Sequence, residues 1–223
     1  MKQLKLFTCT MCFIVMFKFS FAQVVTVTGG SNTTPSLSSS YNSPANAITA
    51  LNTITAISGP VVITMNPGNS EIAPAGGYAI NFSATTTESN NIVIDGSSSY
   101  HTIISSPSLT SGSITDDVFK LIGCDFVTIK RFTLIENISN TTIALGTNNM
   151  TEWGIALLRS STSDGAQSNT IEDNNISLSR SYQNSFGIYS NVRHSATAPS
   201  TSSAIVNGTT APNHYNKIYN NRI

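Results

Sequence analysis

Cysteine, charge and long apolar runs are all scarce in this chain of 223 residues. It has three cysteines, Cys9, Cys12 and Cys124. Two of them fall in the opening segment, so no internal disulfide can staple the rest. Charged residues make up 10% of the chain, eleven basic against eleven acidic. Such a balance lacks the one-signed field through which proteins bind nucleic acid or an anionic membrane. His101, His194 and His214 are too scattered to form a metal site, and no spacing calls for a cofactor.

The one long apolar run, from Leu6 to Phe17, follows Met1-Lys2-Gln3-Leu4-Lys5 and precedes Ser20-Phe21-Ala22. A basic start, an apolar stretch and small residues before the cut have the layout of a secretory signal peptide over residues 1–22. A membrane span needs about 20 apolar residues. Lys18 interrupts this run, so no span is expected after cleavage, and neither Cys9 nor Cys12 follows a convincing lipobox. Lys2, Lys5 and Lys18 leave with the leader, so eight basic residues face eleven acidic ones and the formal charge is −3.

Ser, Thr, Asn and Gly dominate the polar positions, and β-branched residues recur between them at regular spacing. Residues 23–43 read as a short first strand, Val24–Val27, and an exposed lead-in. Ser43-Pro44 then opens the single helical pattern. Ser43 is placed to cap, Pro44 suits the first helical position, and Ile48, Leu51 and then Ile54 or Thr55 share a face. Gly59-Pro60 is the expected stop. From residue 44 to residue 223 the pattern is that of stacked coils. Val118-Phe119-Lys120-Leu121 aligns with Gly154-Ile155-Ala156-Leu157 and with Gly187-Ile188-Tyr189-Ser190. Ile129 and Leu134 recur as Ile171 and Ile176, then as Ile218 and Ile223. The steps of 42 and 47 residues exceed a bare coil, and the surplus falls in polar excursions at 106–117, 138–151 and 192–212. Those excursions are the first place to look for binding.

The alignment makes further predictions. Ile129, Ile171 and Ile218 should form one inward column, and Leu134, Ile176 and Ile223 another. Asn174 and Asn221 should hydrogen-bond along a bend that tolerates left-handed backbone angles. Lys130 and Arg131 should face Glu172 and Asp173 as a cross-strand charge ladder. The last coil would leave an unpaired edge, so the chain is expected to continue beyond Ile223 as part of a longer protein.

The segments AITALNTITAISGPVVITMNPG (47–68), NIVIDGSSSYHTI (91–103) and FVTIKRFTLIEN (126–137) carry a resemblance to the right-handed parallel β-helix, or pectin-lyase-like, superfamily. The resemblance implies an all-β fold, a right-handed parallel β-helix with a short N-terminal capping helix. It also implies a secreted or cell-surface protein, of a kind that in Gram-negative envelopes often ends in a sorting domain for type IX secretion. Fold does not decide function. The expected role is that of an exported segment of a larger protein, structural, adhesive or carbohydrate-binding. The alternative is a polysaccharide lyase or glycoside hydrolase.

A glycosidase needs two carboxylates at a defined separation, and a lyase needs a base and a cation. Asp95, Asp116, Asp117 and Asp125, with Lys130, Arg131 and His101, do not assemble into such a set. Asp95 reads as a turn residue, and Asp116 and Asp117 as ordinary surface. No catalytic or metal residue is assigned. Trp153, Tyr182 and Tyr189 are the candidates for a sugar-binding aromatic platform, although Trp153 and Phe186 are placed to stack on each other as neighbouring coils. The partner class is a polysaccharide or cell-surface glycan.

Overall fold

The computed structural model describes residues 25–65, 70–97, 102–109, 112–196 and 212–223. The expected leader, residues 1–22, lies outside these residues, as do His101 and most of the expected 192–212 excursion.

β1 (Val25–Thr28) comes first among the described residues, followed by β2 (Thr33–Thr34), β3 (Ser40–Tyr41) and their one α-helix, α1 (Pro44–Leu51). The Ser43 hydroxyl accepts from the Asn46 amide at 3.2 Å, so the expected cap is present. The helix ends at Leu51, well before Gly59-Pro60, with Asn52 as its C-cap and the Asn52 side chain bonded elsewhere. Its Nδ2 donates to the Ala79 carbonyl at 2.8 Å, and its Oδ1 accepts from the Asn81 amide at 2.9 Å. β4 (Ala56–Ile57) then pairs antiparallel with β2.

From there the strands follow a fixed rota. β5 (Val61–Met65), β6 (Ser70–Ile72) and β7 (Tyr78–Ile80) make one circuit, and β8 (Ile92–Asp95), β9 (Thr102–Ser105) and β10 (Asp117–Ile122) the next. β11 (Val127–Lys130), β12 (Phe132–Ile135) and β13 (Trp153–Arg159) follow, then β14 (Thr170–Glu172), β15 (Asn175–Ser177), β16 (Phe186–Ser195) and β17 (Lys217–Tyr219). Every third strand joins the same sheet. The orders are β17-β14-β11-β8-β5, β15-β12-β9-β6 and β16-β13-β10-β7, here called the first, second and third sheets. Within them neighbouring strands run parallel. β1 caps the first sheet antiparallel to β5, with β3 beyond it.

The register follows the sequence columns. Ile129 pairs with Ile171 and Ile171 with Ile218; Leu134 pairs with Ile176. Phe119 pairs with Ile155 and Ile155 with Ile188, as the repeat predicts. Alternation sends Ile63, Ile94, Ile129 and Ile171 inward, where they meet Phe119, Phe132 and Leu134 in one core. Each fully buried side chain of this size contributes about 1.5–3 kcal/mol. α1 buries Ala47, Ile48 and Leu51 over the first circuit. Asn52 supplies the hydrogen bonds that a further strand would give the outer edge of β7.

Two details depart from the sequence reading. The left-handed residues at the bend between the first and second sheets are Arg131, Asp173 and Asn220, with φ of 62°, 54° and 54°, each one position before the column of Phe132, Asn174 and Asn221. Arg131 turns away from Asp173 to Asp95 on the preceding circuit, its Nε donating to Asp95 Oδ1 at 2.8 Å. Asp95 is therefore a buried ion-pair partner rather than a plain turn residue. Lys130 does face Glu172, at 3.9 Å.

Candidate functional site

The second and third sheets meet at a corner where segments 106–116, 136–152 and 178–185 leave successive circuits. Polar side chains that would be exposed on an open surface are packed together there. Glu136, just past β12, accepts at Oε1 from Thr151 Oγ1 (2.7 Å), Asn140 Nδ2 (2.8 Å) and Ser106 Oγ (3.0 Å). Asn140 also holds the previous circuit: its Nδ2 donates to the Pro107 carbonyl at 3.0 Å, and its Oδ1 accepts from the Leu109 amide at 3.1 Å.

Glu152, just before β13, does the same one step on. Its Oε1 accepts from Tyr182 OH at 2.8 Å and from Asn148 Nδ2 at 3.0 Å, and its Oε2 from the Asp116 amide at 3.1 Å. Burial pushes its carboxyl up to about 7, partly offset by the Tyr182 and backbone hydrogen bonds. Two carboxylates thus clamp three excursions to one another.

Asp117 lies beside them. It begins β10 and is fully buried, which corrects the expectation of an ordinary surface acid. Its Oδ2 meets Lys120 Nζ at 2.5 Å, while its Oδ1 has no hydrogen-bond partner. Burial raises its carboxyl to about 7 against the opposing pull of Lys120. Gly77, at φ +71°, makes the close approach possible, because a Cβ there would come within 2.0 Å of Asp117 Oδ1.

Lys120 points to the outer face of the third sheet yet is buried, because that face is covered. Trp153, Ala156, Leu158 and Ala196 form a second apolar cluster over it, flanked by Ile122 and Tyr189. Trp153 stacks on Tyr189 with ring centroids 4.7 Å apart and planes 7° apart, and Lys120 Nζ lies 5.9 Å from the Trp153 ring centroid. Phe186 pairs with Trp153 in backbone register and tilts against Tyr189 at 5.6 Å.

Of the sugar-platform candidates, Trp153 and Tyr182 are both 3% exposed and Tyr189 is half-buried. Trp153 and Tyr189 come together, whereas Tyr182 belongs to the Glu152 clamp. Their ring faces are engaged with one another or with the fold. The clamp residues Glu136, Asn140, Asn148 and Glu152 were not singled out from the sequence. One signal was available: the repeat that aligns Phe119 with Ile155 also places Asp116 beside Glu152.

No group of three or more His, Cys, Asp or Glu residues able to hold a metal ion occurs among the described residues. No helix among them is long and apolar enough to cross a membrane. Searches for a family model, a curated protein and a solved structure similar to this chain returned no match.

Proposed function

We propose that this chain is the right-handed parallel β-helix segment of an exported, larger cell-surface or extracellular protein, of pectin-lyase-like architecture, with a structural or adhesive role that includes binding polysaccharide. The strand rota and the in-register inward columns support the architecture. The signal-like leader fits export, and without a stapling cysteine pair the fold is held by its core and ladders. One observation carries the non-catalytic role: the corner carboxylates Glu136 and Glu152 are saturated with donors from the excursions they hold. A carboxylate committed in that way is a fastener, not a free acid or base.

The competing lyase or hydrolase reading is favoured by two carboxyls near pH 7 at one corner, Asp117 and Glu152. Both are buried with their flanking loops closed over them. The test is incubation of the purified chain with pectins and other uronate polymers, following the ultraviolet absorbance of unsaturated product and the release of reducing ends. The scaffold reading predicts flat traces together with retention of glycan on an array. Sustained turnover would overturn it.

A further inference from the structure

The outer face of the first sheet is the opposite of the third. Its side chains are not covered by another layer. Val62, Val93, Thr128, Thr170 and Lys217 form one outward column across five circuits. The Thr128 and Thr170 hydroxyls make no side-chain hydrogen bond with the described residues. Along the entry side of this column runs a ridge of residues in one backbone conformation: Phe126, Ser168 and Tyr215, with φ of 51°, 54° and 60°. Ridge and column enclose an open groove of about 350 Å³.

We infer that this groove is a binding site for a neutral, extended β-linked glycan lying across the strands, with Phe126 and Tyr215 as its stacking rings. The inference rests on the polysaccharide-binding part of the reading above and assigns it a place and a ligand class. Spacing is the first argument. Phe126 and Tyr215 are two circuits apart, about 9.6 Å at the ordinary distance between strands, and the small Ser168 lies between them. In a β-1,4-linked chain alternate sugars are flipped, so the same ring face returns every second residue. The advance per sugar is similar to, and slightly longer than, the strand spacing of about 4.8 Å. Two rings separated by a gap suit that alternation.

Charge is the second argument. Glu88 and Lys217, the charged groups lining the groove, cancel, so there is no field to hold a polyuronate. What remains are the Thr128 and Thr170 hydroxyls and the Oδ1 of Asn91, whose Nδ2 donates to the Glu88 carbonyl at 2.7 Å, a set suited to sugar hydroxyls. Tyr215 is 79% exposed and meets the His214 ring in a T-shaped contact at 5.6 Å, so most of its surface is open to a ligand and its removal leaves the core untouched.

The test is affinity electrophoresis of the full chain in gels containing soluble neutral β-glucan, β-mannan, β-xylan or polygalacturonate. The expected result is retardation by at least one neutral polymer, unchanged between low and high salt, with Tyr215→Ala weakening it about tenfold or more and Tyr215→Trp retaining it. Retardation by a neutral glycan that Tyr215→Ala leaves intact would overturn this site while leaving polysaccharide binding standing. Preference for polygalacturonate, lost at high salt, would overturn the ligand class. Absence of retardation by every polymer would overturn the site and the glycan-binding role together, leaving only the scaffold.

Discussion

At the scale of single residues the chain repeatedly buries polar groups and then satisfies them, and the acids at the loop corner carry a measurable consequence. Asp117 and Glu152 are each held up at about 7 by burial, above the ordinary carboxyl range. Well below pH 4 both are protonated whether the chain is folded or not. As pH rises toward about 7 the unfolded chain gives up these protons while the folded chain keeps them, so their contribution to stability is lost across that window. The expected outcome is that urea midpoints of the parent chain fall relative to those of Glu152→Gln between pH 4 and pH 8. Parallel pH profiles for the two chains would show that Glu152 is not the buried, proton-retaining group described. This behaviour could not be read from sequence, because an acid beside a repeat strand looks like surface until its neighbours on other circuits are placed.

Among the elements, the bends beside the first sheet matter most, and asparagine holds both. Asn174 accepts from the Phe132 amide at 3.1 Å and donates to the Ile129 carbonyl at 3.1 Å; on the next circuit Asn221 accepts from the Asn174 amide at 3.0 Å. At the entry side Asn169 accepts from the Val127 amide at 2.9 Å and donates to the Cys124 carbonyl at 2.8 Å, and Asn216 repeats the arrangement against Asn169 and Ala166. Each amide side chain replaces ladder bonds that the strands cannot make where the backbone turns left-handed. Asn174→Ala leaves a buried amide and a buried carbonyl unpaired and should cost at least about 2 kcal/mol in urea unfolding. Asn175→Ala, one residue on and half-exposed, should cost under about 0.5 kcal/mol. Equal costs would mean that the asparagine ladder carries no load. The ladder at the exit bend was legible, since Asn174 and Asn221 fall in one column. Its twin was legible too, in the N-x-I-x-x-N spacing of 169–174 and 216–221, but the eye is drawn to the paired asparagines. The helix was expected to run on to Gly59-Pro60 but ends at Leu51, and the partners of the Asn52 side chain, Ala79 and Asn81, lie far along the chain.

For the whole molecule, the strand repeat was the strongest signal, and it placed the register of the columns because parallel strands in register must stack like on like, whereas Ile218 and Ile223 on the last circuit are 49% and 65% exposed. What the repeat could not show is which faces are covered. The third sheet's outer face is sealed by Trp153, Ala156, Leu158 and Ala196, whereas the first sheet's outer face lies open. That difference moves the interest from Trp153 and Tyr182 to Phe126 and Tyr215. It depends on how excursions fold back, which periodicity does not encode. The excursions leave at two corners, 106–116, 136–152 and 178–185 at one and 160–169 at the other.

All of this rests on successive circuits lying in register, and one crosslinking measurement addresses that directly. Thr128 and Thr170 are direct partners on β11 and β14 and face outward, about 4.8 Å apart and within the reach of a disulfide. Thr128→Cys combined with Thr170→Cys should close quantitatively under mild oxidation, read as a loss of free thiol and a shift in non-reducing electrophoresis. Thr128→Cys combined with Glu172→Cys, two residues out of register, should stay open. Closure of the offset pair in preference to the direct one would contradict the stacked, in-register arrangement.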